Sequence, residues 1–89
     1  MGLQRSHSRF RMLTGLQIRT ARKLLGWAAW RLAHKAGIAR SAIVRAESTE
    51  GEAPITLYQH HQIQRALETA GIEFTHDSEP GVKLKAQSD

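Results

Sequence analysis

The sequence predicts a small, mainly α-helical domain of four helices followed by a short β-hairpin. Two Thr-x-x-Gln boxes, which begin at Thr14 and Thr56, each precede apolar residues at helical spacing, and a glycine follows each run. Between these runs, residues 27–47 (WAAWRLAHKAGIARSAIVRAE) have the pattern of two short helices that meet at a glycine. Towards the C-terminus, the segments IEFT and VKLK alternate apolar and polar side chains, as the strands of a hairpin do.

The composition is that of one small domain whose charge is strongly polarised. The 89 residues carry a formal charge of +5 and no cysteine, which excludes disulfides and thiolate metal sites. Residues 1–45 hold ten Lys/Arg and no acid, whereas residues 46–89 hold three Lys/Arg and all eight acids. This polarity predicts a basic face that binds a polyanion, and nucleic acid is favoured over a basic surface that is merely solvated.

No segment is expected to cross a membrane or to lie on one. The longest apolar run, residues 24–30, spans seven residues and includes Gly26, whereas a membrane helix needs about 20. The basic segments lack a broad apolar face, and the N-terminus has no apolar signal core. We therefore expect a cytoplasmic protein.

The N-terminal part consists of a predicted arm and helix 1. Residues 1–12 show no apolar period and form a predicted flexible basic arm, which either reaches DNA or has no role. Helix 1 is predicted over residues 15–25, because Thr14 and Gln17 form a capping box at its start and Gly26 ends it in the left-handed conformation. Its apolar pattern comprises Leu16, Ile18, Ala21, Leu24 and Leu25, and Leu13 before the cap forms a hydrophobic staple with Ile18.

The two middle helices are predicted over residues 28–36 and 40–48, with Gly37 in the turn between them. Neither helix begins with a good capping residue, because the alanines Ala28 and Ala39 have no side-chain oxygen to accept a first-turn N–H. A serine or threonine at either position is worth about 1 kcal/mol. The polar segment STEGEAP then forms a loop.

Helix 4 is predicted over residues 57–70, with the second capping box (Thr56 and Gln59) before it and Gly71 after it. Its apolar stripe comprises Leu57, Ile63, Leu67 and Ala70.

Residues 72–89 are predicted to form a C-terminal hairpin and tail. A two-stranded hairpin is marginal in water, so it must pack on something or pair with another chain. Pairing across a two-fold axis removes an exposed strand edge, which makes this segment the predicted dimerisation element. The apolar residues expected at the dimer interface are Ile72, Phe74, Val82 and Leu84.

With this order of elements, the chain resembles the lambda-repressor-like (Cro/xenobiotic-response-element) family of helix-turn-helix transcriptional regulators. The resemblance lies in IRTARKLLGW (residues 18–27) and RLAHKAGIARSAIVRAE (residues 31–47). It implies that residues 13–71 are a four-helix DNA-binding domain of a bacterial protein or a mobile genetic element. It also implies a repressor or activator that binds a palindromic operator in double-stranded DNA as a homodimer, without a cofactor.

The resemblance implies that the helix at residues 40–48 lies in the major groove. Its base-contacting residues are then Arg40, Ser41, Val44 and Arg45. Arginine binds guanine in bidentate fashion, and valine can contact a thymine methyl group. Ala42, Ile43 and Ala46 are expected to face the core. The residues available for phosphate contacts are Arg19, Lys23, Arg31 and Lys35.

The family also often pairs an arginine of helix 1 with a glutamate that closes the recognition helix. The matching residues are Arg22 and Glu47, so a structural ion pair is expected between them. The chain departs from the family at Ala28 and Ala29, where a capping Ser or Asn and a phosphate-contacting Gln are common. Either other phosphate contacts compensate, or DNA binding is weakened. Trp30 is unusual on the outer side of helix 2. Packing at the edge of the core is favoured there over packing under the N-terminal arm or against sugar–phosphate.

Other functional classes have less support. The adjacent His60 and His61 point about 100° apart on a helix, so they do not share a metal ion easily. An alternative role for these two histidines and Tyr58 is packing at a helix–helix interface. No metal site is expected, and no set of catalytic residues stands out, so an enzyme is not expected. The main alternative is an antitoxin-type or other protein-binding module on the same fold, with the acidic second half as its partner surface. A third alternative is a regulator that acts only as a partner of another DNA-binding protein.

Overall fold

Four helices and one hairpin follow one another in the part of the chain that the structure describes, so the predicted mainly α class is confirmed. The computed structural model describes residues 12–76 and 80–85, and the predicted arm, apart from Met12, lies outside the described residues, as does the predicted tail beyond Lys85. The elements are α1 (Gly15–Leu24), α2 (Ala29–Ala36), α3 (Arg40–Ala46), α4 (Leu57–Thr69), β1 (Ile72–His76) and β2 (Pro80–Leu84).

Local chemistry sets the helix ends close to their predicted positions. In both capping boxes the threonine hydroxyl accepts from the glutamine backbone N–H, at 3.0 Å in each case. Gly26 and Gly37 are left-handed, each with φ of 70°, where they end α1 and α2. The N-cap residues Ala28 and Ala39 make no side-chain capping bond, as predicted.

The helix α3 ends two residues earlier than predicted, at Ala46 instead of residue 48. The Ser48 hydroxyl donates to the carbonyl oxygen of Arg45 at 2.6 Å. The backbone N–H of Ser48 donates to the same carbonyl oxygen at 3.1 Å, so the residues after Ala46 form a tight turn instead of another α-helical turn.

The core receives large apolar side chains from all four helices and from β1. Those that are completely or almost completely buried are Leu13, Ile18, Leu32, Ile43, Ile63, Leu67 and Ile72. The prediction that Leu57 belongs to the buried stripe of α4 is wrong, because Leu57 is exposed and His60 occupies the buried position in that part of the helix. Of the three residues suggested for a helix–helix interface, Tyr58 and His61 are exposed and His60 is buried.

His60 joins three segments of the chain inside this core. Its Nδ1 accepts the backbone N–H of Leu13 at 3.3 Å, so Nε2 carries the hydrogen and donates to the carbonyl oxygen of Ala53 at 3.1 Å. Burial lowers the pKa of His60, against the opposing effects of the Ala53 bond and the Glu52 charge. The ring is therefore neutral, and a proton on Nδ1 would face the Leu13 donor.

We expect this histidine to make the fold acid-sensitive. Because its pKa is lower in the folded than in the unfolded chain, its contribution is present above the unfolded value of about 6.5 and is lost as the pH falls below it. Titration of this one group changes the free energy of unfolding by at most about 1.4 kcal/mol per pH unit. Urea unfolding at a series of pH values measures this dependence, and we expect His60→Gln to flatten the profile below about pH 6.5. A parent profile that is already flat in this range would contradict the prediction.

The hairpin packs on its own chain. Antiparallel pairing places Ile72 opposite Leu84 and Phe74 opposite Val82. Ile72 is 1% exposed, and Phe74 and Val82 pack against the core. The prediction that Ile72 contacts a second subunit is therefore wrong. The side chains of Phe74 and Val82 are partly buried by packing against the core of their own chain. The remaining residue of the predicted set, Leu84, is exposed.

Gln17 connects the hairpin to α1. Its Oε1 accepts the Thr14 N–H at 2.9 Å as part of the capping box. Its Nε2 donates to the carbonyl oxygens of Thr75 at 3.3 Å and Gly81 at 3.1 Å. The same side chain thus starts the helix and holds both strands.

The substitution Gln17→Glu separates these two roles. Glutamate keeps the capping box but turns a buried donor into a carboxylate that faces two carbonyl oxygens, so we expect a loss of about 2–3 kcal/mol in the free energy of unfolding. Gln59→Glu is the matched control, because Gln59 occupies the same position of the second capping box; we expect a change within about 0.5 kcal/mol. Equal effects of the two substitutions in urea unfolding would show that Gln17 does not hold the hairpin.

Candidate nucleic-acid interface

The helix α3 has one buried side and one exposed side. Ala42, Ile43 and Ala46 are buried, as predicted, and hold the helix against the rest of the domain. The predicted base-contacting residues, Arg40, Ser41, Val44 and Arg45, are all exposed, and with Ser48 they line one shallow open groove. A central valine between two arginines gives this surface, which we name the α3 face, an apolar centre and a positive rim.

The charges of the α3 face are available to a ligand. Within residues 12–76 and 80–85, the lysine and arginine side chains form one ion pair, Arg22–Glu47, so neither Arg40 nor Arg45 is neutralised by a described carboxylate. The side chain of Val44 is 56% exposed in the same groove. An exposed valine beside unpaired arginines suits a partner that combines apolar groups with hydrogen-bond acceptors.

The Arg22–Glu47 pair fixes the end of α3 to α1. Arg22 donates from Nε and Nη2 to the two carboxylate oxygens of Glu47, both at 2.8 Å, and from Nη1 to the carbonyl oxygen of Trp27 at 2.9 Å. The hydrogen bond with Glu47 raises the pKa of Arg22 above its ordinary value. Because Glu47 is the first acid in the sequence, the pair also neutralises the carboxylate nearest in sequence to the α3 face.

The four residues predicted to contact phosphate differ in their surroundings. Arg19 is half-buried and donates to the carbonyl oxygen of Glu47 at 3.1 Å, so part of its hydrogen-bonding capacity is used within the protein. Lys23, Arg31 and Lys35 are exposed. Lys35 lies over the ring of Trp27, with Nζ 5.8 Å from its centroid.

The start of α2 presents alanines and a tryptophan. Ala28 is exposed, and Ala29 packs half-buried against the core. Trp30 is 59% exposed, so the prediction that it packs at the edge of the core is wrong. On α2 the buried face is formed by Leu32, Ala33 and Ala36, and residue 30 lies away from it.

A second basic groove lies between α2 and α4, and sequence reasoning missed it. Lys35 and Arg65 line it together with Gln62 and Thr69. Gln62 donates to the carbonyl oxygen of Ala36 at 3.0 Å, which joins the two helices at this groove. Nothing in the spacing of these residues indicates that they meet, because the two helices are distant in sequence.

Neither a metal-binding cluster nor a membrane span is found in the part of the chain that the structure describes. No three His, Cys, Asp or Glu residues there are grouped so that they could hold a metal ion. No helix among the described elements has the length and apolar character needed to span a bilayer. The sequence matches no protein-family model, and comparison with curated proteins gives no significant relative.

Proposed function

We propose that this protein is a sequence-specific, double-stranded-DNA-binding transcriptional regulator of the helix-turn-helix type, with α3 as its recognition helix. The observation that supports this most is the α3 face, where Arg40, Ser41, Val44 and Arg45 are exposed together while the other side of the helix is buried. A rigidly anchored helix with such side chains fits the major groove of B-form DNA.

The chemistry of the α3 face matches base edges. Arg40 and Arg45 can each donate two hydrogen bonds to O6 and N7 of a guanine, Val44 can contact a thymine methyl group, and Ser41 can bond either a base or a phosphate. Exposed cations on α1 and α2, namely Lys23, Arg31 and Lys35, are available for the phosphates on either side.

We further propose that the chain acts in the cytoplasm as a homodimer on a palindromic operator. The helix α3 has only seven residues, and one base contact contributes about 1–3 kcal/mol of discrimination, whereas operator specificity requires about 4–10 kcal/mol. Two copies related by a two-fold axis, with recognition helices about 34–36 Å apart, double the number of contacts. Leu84 is the residue of the predicted interface that is open to a second copy. A monomer in sedimentation equilibrium at tens of micromolar would contradict the dimer.

The test begins with duplexes that the purified chain enriches from a random-sequence library. Their affinity is measured by fluorescence anisotropy over a series of salt concentrations. We expect Arg40→Ala and Arg45→Ala each to lose about 1–3 kcal/mol of binding free energy and to relax the preference at one base position. Lys83→Ala is the control, since it removes the same charge from the exposed hairpin strand β2, and we expect it to retain selectivity.

The salt dependence provides an independent measurement. We expect the affinity to fall steeply as the salt concentration rises. In a plot of log affinity against log salt concentration, each phosphate contact adds about 0.9 to the steepness of the fall. If the library yields no enriched duplex, or if Arg40→Ala and Lys83→Ala behave alike, the proposed function is wrong.

A protein-binding module is the second candidate, because Leu57 and Tyr58, neighbours in the first turn of α4, are 61% and 64% exposed. Adjacent exposed apolar side chains of this size are typical of protein contacts. Absence of enriched duplexes, together with a stoichiometric protein complex that Tyr58→Ala abolishes, would favour this candidate.

A further inference from the structure

Trp30 is the largest apolar side chain among the exposed residues that the structure describes. It is 59% accessible on the outer side of α2. Its exposed neighbours on this helix are Arg31, His34 and Lys35. Glu47 is the first acid in the sequence and is bound to Arg22, so no carboxylate from the preceding residues offsets the positive charge around the indole.

Arg31 and Trp30 form a composite surface. The guanidinium carbon of Arg31 lies 5.8 Å from the centroid of the indole ring, within the range of a cation–π contact. Arg31 forms no ion pair with any residue in the described ranges. The surface therefore offers a flat apolar ring next to a cation that has kept its capacity to bind an anion.

This combination favours a nucleic-acid backbone over a neutral apolar protein surface. A neutral apolar partner would bury Arg31 and Lys35 without compensation, which is costly. The DNA backbone alternates an apolar deoxyribose face with a phosphate, which matches an aromatic ring beside a guanidinium. In helix-turn-helix complexes the helix before the recognition helix crosses the backbone, and α2 holds that position in this chain.

We propose that Trp30 packs its indole against a deoxyribose of the DNA backbone while Arg31 binds the adjacent phosphate. This positioning contact would take the place of the hydrogen-bonding side chains that are absent at Ala28 and Ala29. The inference rests on the proposed function, because it requires α3 to lie in the major groove of the same duplex.

The salt dependence of binding distinguishes the two parts of this contact. With the duplexes enriched by the parent chain, we expect Trp30→Ala to weaken binding by about tenfold at every salt concentration and to leave the slope unchanged, since an apolar contact releases no counterion. Arg31→Ala is expected to reduce the slope by about 1. Tyr58→Ala, which removes an equally exposed aromatic ring from α4, is the matched control and leaves both quantities unchanged.

Fluorescence provides a readout that does not depend on affinity. The chain has two tryptophans, so the variant Trp27→Phe reports on Trp30 alone. We expect acrylamide, a neutral quencher, to quench free protein strongly and the saturated duplex complex weakly. Circular dichroism checks that each variant is folded.

The possible results separate this inference from the proposed function. If no duplex is enriched, both are overturned. If enriched duplexes depend on Arg40 and Arg45 but Trp30→Ala binds like the parent, or if duplex leaves the acrylamide quenching of Trp30 unchanged, the backbone contact is wrong and the proposed function stands. A Trp30→Ala variant that lowers the salt slope as Arg31→Ala does would also overturn the packing of the indole on deoxyribose.

Discussion

Gly15→Ala is expected to destabilise the domain by about 3 kcal/mol or more, although it adds only one methyl group. Gly15 is the first residue of α1, and its backbone N–H donates to the carbonyl oxygen of Gly51 at 2.8 Å. A Cβ atom at Gly15 would overlap the carbonyl oxygen of Thr49 and lie 2.5 Å from that of Ala46. Because both obstacles are backbone atoms, no change of rotamer can relieve the clash.

Helix propensity alone leads to the opposite expectation. Alanine is favoured over glycine in a helix by about 1 kcal/mol, so a prediction from α1 alone would be that Gly15→Ala stabilises the protein. The matched control is Gly51→Ala, at a position where the nearest obstacle to a Cβ atom is 4.0 Å away; we expect a change within about 1 kcal/mol. Chemical denaturation measures both. A Gly15→Ala variant as stable as the parent would show that α1 and the end of α3 do not approach this closely.

Arg22→Ala is expected to cost about 3 kcal/mol of unfolding free energy, since it leaves a largely buried carboxylate without its partner. The side chains of Arg22 and Glu47 are only 16% and 11% exposed, and the substitution also removes the donor to Trp27. Arg22→Lys is expected to recover only part of the loss, because an ammonium group lacks the planar fork that binds both carboxylate oxygens. Lys23→Ala, an exposed cation on the same helix, is the control, and we expect a change within about 0.5 kcal/mol.

A double-mutant cycle tests whether the two residues act as a pair. Arg22→Met combined with Glu47→Leu removes both charges, so we expect this double variant to be more stable than Arg22→Met or Glu47→Leu alone. The same cycle has a functional readout, because Glu47 follows α3 directly. If the pair positions the α3 face, the single variants also weaken binding to enriched duplexes at temperatures where they remain folded. Strictly additive losses of stability would contradict the coupling.

Some features of the fold are predictable because they depend on neighbouring residues. The starts of α1 and α4 follow from their Thr-x-x-Gln boxes, and Gly26 and Gly37 mark the ends of α1 and α2. The resemblance to helix-turn-helix regulators predicts that Ala42, Ile43 and Ala46 face the core, and they are buried. The exposure of the opposite side of α3 follows from the same helical period.

Other predictions are wrong, because a period of apolar residues does not identify what they pack against. Leu57 fits the stripe of α4 but lies on the surface, whereas the polar His60 is buried because Leu13 and Ala53 supply its hydrogen-bond partners. Ile72 has the alternation expected of a strand that pairs with a second subunit, yet it is buried in its own domain. Trp30 is the reverse case, since a large aromatic side chain is left exposed.

The sequence by itself determined the class of the domain, the starts of α1 and α4, the ends of α1 and α2, and the separation of basic and acidic halves. These properties depend on composition and on hydrogen bonds that close within a few residues. Only the tertiary structure decided that Gln17 holds the hairpin as well as starting α1, that Gly15 must lack a side chain, and that Trp30 lies open beside Arg31. The first two roles depend on distant segments that contain Thr49, Thr75 and Gly81, and the third depends on which side of α2 faces the core. The packing of the whole domain sets all three, and no local pattern encodes them.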